Sequence, residues 1–343
     1  MTGIIGYGAY IPKFRIKSEE IAKVQGHDPN YILKDILVEE KSVPSLDEDS
    51  MTMGFEASLN AIKRANIDRK RIGAVYSGSE SPAYAVKPNA SIIGEALGIG
   101  MDYTSADVEF ACKAGTAAMQ MVFGLSKSGF VDCGLAIGSD TAQSPPGDLI
   151  EHTSSAGAAA ILISNKEEEI IAKLEAMHSV SSDTPDFWRR PEEKYPQYAE
   201  RFTGAPAYFK HIIQNVKELM KKTKTSPKDI SHVAFHTPNG KFPLKAGNIL
   251  GFDKNQLESN LIVSKIGNTY SAASMIVLTH ILDKAKEDER ILLASFGSGA
   301  GSDAFLFSVT KNIKNLKRAK TTQEYVDDKE HISYGEYCKL TYL

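Results

Sequence analysis

Cysteine is scarce in this chain of 343 residues, and its three copies, Cys112, Cys133 and Cys338, are widely separated. This spacing argues against a disulfide framework and a CxxC metal site, and it is typical of a protein in a reducing compartment.

Neither sign of charge dominates, since 40 Lys and Arg residues accompany 43 Asp and Glu residues. The balance argues against nucleic acid or an anionic membrane as a partner, although a local basic patch can still bind a phosphorylated ligand.

Long hydrophobic runs are also missing. No segment approaches the ~18 consecutive apolar residues of a membrane span, and the start of the chain, MTGIIGYGAYIPKFRI, lacks the features of a secretory signal. Hydrophobic residues still make up 42% of the chain and charged residues 24%, an ordinary globular composition. We therefore expect a soluble cytoplasmic protein.

Common cofactor motifs are absent as well. The chain has no GxxxxGK[ST], HExxH or GxSxG motif and no EF-hand loop. GSGAGSD at 297–303 resembles a dinucleotide fingerprint, but Ser302 stands where Gly or Ala is expected, and a strand pattern follows instead of a helix. We therefore expect no metal and no organic cofactor.

Short apolar runs alternate with helical patterns along the chain, which predicts an α/β fold. Helices are expected over about 53–65 and 207–222. The predicted strands are 72–77, 134–137, 158–164, 232–235, 261–263, 291–296 and 304–309.

The two halves of the chain repeat one plan. In each half a helix and a strand lead to a polar residue, Glu80 in the first and His236 in the second. A segment of small residues then begins another helix, and Cys112 and Asn268 fall at matching places in these segments. Both pairs are 156 positions apart. Two such halves, facing each other across a pseudo-twofold axis, would form a site at their junction.

We divide the chain into an N-terminal half (1–165), a C-terminal half (166–310) and a tail (311–343). The C-terminal half carries an insertion at about 180–206 that is rich in charge, proline and aromatic residues and contains the only tryptophan, Trp188. The insertion is either a mobile lid or a plain surface insertion. The tail wraps either the body of the protein or a partner subunit.

Cys112 has the surroundings of a covalent nucleophile. It comes just before a helix, and the positive end of the helix dipoles favours the thiolate, which is the reactive form. Small residues around it, Ala111, Ala114 and Gly115, leave room for a ligand. The alternative is a buried structural thiol, which is how we interpret Cys133.

Three polar residues at the same junction can act together with Cys112. His236 can serve as acid or base because the pKa of histidine lies near neutrality. Glu80 can serve as a general base once it is partly desolvated. Asn268 can donate to a developing oxyanion, or it can only cap the helix that it starts. Each of these residues, taken alone, is more often structural or solvated.

Lys241 and Lys245 lie four residues apart, so a helix would place both ammonium groups on one face. Like charges at this spacing repel each other unless an anion lies between them. The pair is consistent with a phosphate-bearing ligand, and a solvated basic face is the alternative.

Together, FACKAGTAA, FHTPNGK, GSES and GNTYSAAS resemble motifs of the thiolase superfamily, and most closely those of the hydroxymethylglutaryl-CoA synthases of the archaeal type. The resemblance extends over essentially the whole chain. It implies a five-layered αβαβα fold built from two duplicated halves, and a homodimer or homotetramer. It also implies an acyltransferase of the mevalonate pathway that condenses acetyl-CoA with acetoacetyl-CoA.

The resemblance also implies roles for individual residues. Cys112 would take the acetyl group as a thioester, Glu80 would remove a methyl proton from it, and His236 would protonate the alkoxide formed on condensation. The residues that would bind the CoA thioesters are Asp28, Thr153, Arg201, Thr203, Lys241, Lys245, Asn268 and Ser298. Acetoacetyl-CoA thiolase and a small zinc-containing bridging protein are the partners that the family implies.

Two other functions remain as alternatives. A ketoacyl condensing enzyme acting on acyl carrier protein also uses Cys, His and Asn, but usually in a pattern that differs from His236-Thr237-Pro238, and it has no need of Glu80. A non-catalytic scaffold of the same fold would need none of the three reactive residues.

Overall fold

The structure, a computed structural model, describes residues 1–342, with Arg201 described by its backbone alone. The strands are β1 Gly3–Tyr10, β2 Phe14–Lys17, β3 Glu40–Val43, β4 Ile72–Gly78, β5 Thr104–Val108, β6 Cys133–Thr141, β7 Ala156–Ser164, β8 Ala172–Ser181, β9 Phe187–Trp188, β10 Gln197–Tyr198, β11 His232–Phe235, β12 Arg290–Ala294, β13 Gly301–Val309 and β14 Glu330–His331. The α-helices are α1 Ser18–Gln25, α2 Ser50–Ala65, α3 Asn89–Leu97, α4 Ala114–Lys127, α5 Lys210–Thr223, α6 Lys241–Leu250, α7 Lys254–Leu257, α8 Val263–Ile266, α9 Ala273–Leu282, α10 Thr322–Asp327 and α11 Tyr334–Thr341.

Nine strands form one sheet in the order β11-β12-β13-β8-β1-β7-β6-β4-β5. The order is the same in both halves of the repeat, with β8, β13, β12 and β11 corresponding to β1, β7, β6 and β4. The two half-sheets are joined by the pairing of Gly3 and Ile4 of β1 with Lys173 and Ala172 of β8. Helices α2 and α3 cover one half-sheet, α5 and α6 cover the other, and α4 and α9 lie between the two. The result is the five-layered arrangement that the resemblance implies.

The middle layer holds a large hydrophobic core in which α4 and α9 pack closely. A Cβ atom on Gly115 of α4 would lie 2.5 Å from the sulfur of Met275 and 2.6 Å from the carbonyl oxygen of Ser271. Ala114 is fully buried. Gly115 therefore allows α4 and α9 to approach each other, and the backbone of Ala114 lies against Gly78 of β4, where an added Cβ would come within 2.2 Å of it. This corrects the expectation that Ala114 and Gly115 leave room for a ligand.

The predicted strand 261–263 is wrong. The segment forms a 3-10 helix, Glu258–Ile262, that leads into α8. The reason is Asn260, which is fully buried. Its amide accepts from the N–H of Phe235 at 2.7 Å and donates to the carbonyl oxygen of Val233 at 2.7 Å. The free edge of β11 is thus satisfied by a side chain, and no strand is needed beside it.

The remaining predicted strands and both predicted helices are present, with ends that shift by a few residues. The tail packs on the body of its own chain, where β14 pairs with β2 and Tyr337 of α11 accepts a hydrogen bond from Lys41 at 3.0 Å. Among residues 1–342, no helix combines the length and the apolar character needed to cross a membrane.

We predict that Asn260→Leu lowers the free energy of unfolding by about 2–6 kcal/mol, because two buried backbone groups of β11 each lose a partner at about 1–3 kcal/mol. Guanidinium titration measures the change. Asn255→Leu, at an exposed asparagine nearby, is the matched control. Equal stability of the two variants would contradict the role given to Asn260.

Candidate active site

Cys112 lies in a 3-10 turn, Ala111–Lys113, directly before α4, as the sequence predicts. The turn is held by the opposite half of the protein. The ammonium group of Lys113 pairs with the buried carboxylate of Asp303 on β13 at 3.0 Å, and the hydroxyl group of Thr116 donates to the same carboxylate at 2.9 Å. The contact between the two halves therefore determines where the thiol lies.

Glu80 follows the end of β4, and its loop is held by Asp140 at the end of β6. One oxygen of this fully buried carboxylate accepts from the backbone N–H groups of Glu80 at 2.7 Å and Ser81 at 2.9 Å, and from the hydroxyl group of Ser79 at 2.9 Å. The other oxygen accepts from the N–H of Ser271, next to α9, at 2.8 Å. Asp140 is a positioning residue that the sequence analysis missed. The only available signal was a polar GSD segment ending a buried strand.

Cys112 and Glu80 are buried close enough to shift each other's pKa, and one carboxyl oxygen of Glu80, Oε1, has no hydrogen-bond partner among the described residues. Burial, together with the negative charge of Asp140, raises the pKa of Glu80, and the thiol of Cys112 acts in the opposite direction. Burial and then the charge of Glu80 raise the pKa of Cys112. The resting residue is therefore a protonated thiol. This corrects the expectation that the helix dipoles make it a thiolate, because burial and the adjacent carboxylate outweigh them.

His236 directly follows β11 and is buried. Its ring packs near Tyr208 and Phe296, with ring centroids 6.3 and 6.4 Å away. The hydroxyl group of Tyr208 donates to the carbonyl oxygen of His236 at 2.7 Å, whereas Nδ1 of His236 has no partner in the described residues. Burial lowers the pKa of His236 to about 3. The imidazole is therefore neutral near pH 7.

Cys112 and His236 line one cavity of about 570 Å³, which we call the Cys112 cavity. Phe187 and Tyr198 of the insertion form part of its wall, so the insertion covers the site. Four predicted substrate-binding residues also line the cavity: Thr153, Thr203, Asn268 and Ser298.

Glu80 lines a second cavity of about 450 Å³, which we call the Glu80 cavity. The residues common to both cavities are Phe187, Tyr270 and Ser298. The catalytic pair therefore lies at the boundary between two spaces.

Asn268 is not the counterpart of Cys112. The 3-10 turn before α9 is Tyr270–Ala272, and Tyr270, with φ 52°, corresponds to Ala111, with φ 43°. The counterpart is thus Ser271, three residues later. The side-chain oxygen of Asn268 accepts from the N–H of Tyr270 at 3.0 Å. Asn268 therefore caps this turn and also borders the cavity.

Lys241 and Lys245, which are predicted to bind CoA phosphates, line neither of the two cavities. Lys241 and Lys245 are exposed one turn apart on α6, as predicted. Lys241 lies 3.9 Å from Asp35, and Lys245 lies over the ring of Phe209. Asp28 is exposed, accepts a local backbone hydrogen bond from Asn30 and lines neither cavity. The side chain of Arg201 lies outside the described part of the chain.

Proteins of similar sequence establish the family to which this chain belongs. The hydroxymethylglutaryl-CoA synthase of Methanopyrus kandleri is 52% identical over 340 residues, covering 99% of this chain and 97% of that protein. The one from Methanocaldococcus jannaschii is 53% identical, covering 99% and 98%. This chain belongs to the hydroxymethylglutaryl-CoA synthase family. Membership confirms the resemblance and makes the protein an acyltransferase that forms carbon–carbon bonds.

Solved structures confirm the thiolase-like fold. A hydroxymethylglutaryl-CoA synthase complexed with CoA aligns with TM-score 0.88 at 23% identity, covering 100% of this chain and 90% of the other. The 3-oxoacyl-[acyl-carrier-protein] synthase III of Aquifex aeolicus aligns with TM-score 0.81 at 20% identity, covering 90% and 100%. The family model "3-Oxoacyl-[acyl-carrier-protein (ACP)] synthase III C terminal" matches residues 220–309.

We predict that Glu80→Gln speeds the alkylation of Cys112 by iodoacetamide at pH 8–9, because removal of the carboxylate charge lowers the pKa of the thiol. Peptide mass spectrometry measures the rate. Cys133, whose pKa burial raises to about 12, is the internal control and should not change. An unchanged or slower rate at Cys112 would show that Glu80 does not restrain its ionisation.

Proposed function

We propose that this synthase condenses acetyl-CoA with acetoacetyl-CoA through an acetyl thioester on Cys112 and thereby forms hydroxymethylglutaryl-CoA for the mevalonate pathway. The observation that carries the proposal is a buried thiol and a buried carboxyl group that shift each other's pKa, beside a largely apolar cavity lined by Cys112 and His236. The names of the close relatives support the same reaction.

In the first step Cys112 attacks the carbonyl carbon of acetyl-CoA. Its thiol proton passes to Glu80 and from there to the departing CoA thiolate, so Glu80 is again a carboxylate when the thioester has formed. Because the thiol is protonated at rest, this transfer accelerates its attack near pH 7.

In the second step Glu80 removes a proton from the methyl group of the acetyl thioester. The enolate needs a fixed donor near its oxygen, and the N–H of Ser298, which makes no hydrogen bond to any other residue in the described part of the chain, can supply it. The enolate then attacks the ketone of acetoacetyl-CoA. Covalent attachment of one substrate removes one collision from this step.

His236 acts here as a neutral hydrogen-bond donor to the ketone oxygen, since its lowered pKa leaves no imidazolium to give up a proton near pH 7. The proton that completes the alcohol comes back from Glu80. This assignment revises the expectation that His236 itself protonates the alkoxide. Water finally hydrolyses the thioester and frees Cys112.

Binding of CoA phosphates by Lys241, Lys245 and Arg201 and of substrate by Asp28 is part of the proposal. The homodimer or homotetramer, the complex with acetoacetyl-CoA thiolase and a zinc-containing bridging protein, the cytoplasmic location and the absence of a cofactor likewise stay predictions. The crystallised homologue with bound CoA supports CoA thioesters as the ligands.

We predict that acetyl-CoA alone leaves one acetyl group on the peptide that contains Cys112. Glu80→Ala should still acquire this label, though more slowly, and should fail to consume acetoacetyl-CoA, whereas Cys112→Ala should do neither. Cys133→Ser is the matched control and should behave as the unmodified protein. Mass spectrometry and the loss of acetoacetyl-CoA absorbance are the measurements, with a malonyl carrier protein as the alternative substrate. A label on Cys133, or condensation at the normal rate by Glu80→Ala, would contradict the assignment.

We predict that His236→Ala slows condensation by about 10²–10³-fold, the loss typical of one oxyanion donor. The rate should still fall toward acid at the same pH as in the unmodified protein, because the raised pKa of Glu80, above the ordinary carboxyl range, sets that limb. A pH–rate profile from pH 5 to 9 tests both points. Loss or displacement of the acid limb in His236→Ala would mean that the histidine titrates in the reaction.

A further inference from the structure

The open space of the Glu80 cavity has no part in the first two steps of the proposed reaction, although Glu80 in its lining acts in both. It shares the lining residues Phe187, Tyr270 and Ser298 with the Cys112 cavity, so the two cavities are adjacent. Cys112 lines only the first cavity and Glu80 only the second. A group attached to the sulfur of Cys112 would therefore lie at the boundary between them.

The two cavities differ in chemistry. The Cys112 cavity is lined largely by aromatic and aliphatic side chains, as expected of a site that takes up an organic ligand. The Glu80 cavity is more polar and contains both signs of charge. Its charged lining residues are Glu80, Glu109, Asp140, Arg189 and Lys194. A polar space of this size holds water readily, since water there finds several hydrogen-bond partners.

Hydrolysis, the last step of the proposed reaction, needs water at a moment when the Cys112 cavity is full. The condensed acyl group is then joined to Cys112 at one end and to CoA at the other. Water that reaches the thioester along the same path would have to pass the bound CoA. The Glu80 cavity lies beyond the shared lining residues and is lined by Glu80 and by Ala111, the residue before Cys112.

On the basis of the proposed function, we propose that the Glu80 cavity supplies the water that hydrolyses the acyl thioester on Cys112 and receives the carboxylate that is formed. The oxygen of water adds to the thioester carbon, and the carbon–sulfur bond breaks. One proton of water passes through Glu80 to the sulfur, and the other leaves the new carboxylic acid for solvent. No other reactant is required.

Arg189 is the cation best placed to meet the new carboxylate. Its guanidinium group lines the Glu80 cavity and lies 3.4 Å from the backbone carbonyl oxygen of Glu80. It belongs to the insertion, between β9 and β10, whose Phe187 lines both cavities. The insertion thus supplies both a wall of the Cys112 cavity and a charge for the Glu80 cavity.

Substitutions that introduce a larger side chain into one cavity at a time test the proposal. Ala142→Leu and Gln143→Trp reduce the Glu80 cavity, and Leu149→Trp, in the Cys112 cavity, is the matched control. Rapid-quench mass spectrometry follows acetylation of Cys112 and the later adduct that carries the condensed acyl group with CoA. Normal acetylation also shows that a variant is folded.

We expect the two variants of the Glu80 cavity to acetylate at the normal rate and to accumulate the later adduct, because hydrolysis slows by about tenfold or more, which corresponds to at least about 1.4 kcal/mol. Leu149→Trp should instead slow acetylation without accumulating the adduct. Arg189→Gln should also accumulate the adduct, whereas Arg190→Gln, at a neighbouring exposed arginine that lines neither cavity, should not.

Normal turnover without the adduct in both Glu80-cavity variants would overturn the proposal, and so would an equal loss of acetylation and hydrolysis. Failure of the unmodified protein to become acetylated would instead refute the proposed function itself. The two failures are therefore distinguishable.

Discussion

The contact between the thiol of Cys112 and the carboxyl group of Glu80 is the interaction on which the rest of this site depends. In water the two groups would ionise independently. In the buried site the carboxylate raises the pKa of the thiol, and the thiol lowers the pKa of the carboxyl group. The ionisation of each group therefore depends on the other. This coupling allows one carboxylate to serve the nucleophile first and the methyl group of the acetyl thioester afterwards.

The fold provides this contact by joining its two halves at the site. Asp140 of the first half holds the loop of Glu80 and also the turn before α9 of the second half. Asp303 of the second half holds the turn of Cys112 through Lys113. Both carboxylates are fully buried and hydrogen-bonded, so loss of one partner would leave a costly unpaired charge. The packing of the two halves against each other therefore also fixes the positions of Cys112 and Glu80.

Much of the architecture follows from local pattern. The alternation of apolar runs predicts β4, β6, β7, β11, β12 and β13, and the repeat predicts two similar halves facing each other across a pseudo-twofold axis. His236 and Glu80 could be found because each follows a strand whose apolar residues are clear in the sequence. Such features depend on neighbours within a few residues, and the resemblance to a known family adds the roles.

The features that could not be predicted depend on contacts between distant segments. The side-chain amide of Asn260 hydrogen-bonds the edge of β11, where a neighbouring strand would otherwise pair. Residue 115 must be small because Met275 of α9 lies against it. The correspondence between Cys112 and Ser271 rests on the two 3-10 turns, each of which begins at a residue with positive φ, Ala111 or Tyr270. Such a backbone angle cannot be read from the sequence. The protonated state of Cys112 follows from burial and from Glu80, and neither the burial nor the contact can be read from the residues around the cysteine.

A crystal structure of the protein after soaking with acetyl-CoA alone would show whether Glu80 serves the acetyl group on Cys112. We expect an acetyl group on Cys112 whose methyl carbon lies within about 3–3.5 Å of an oxygen of Glu80, the range of a reactive geometry, and whose carbonyl oxygen faces the N–H of Ser298. An acetyl group whose methyl carbon points away from Glu80, or a Cys112 that carries no acetyl group at all, would contradict this expectation.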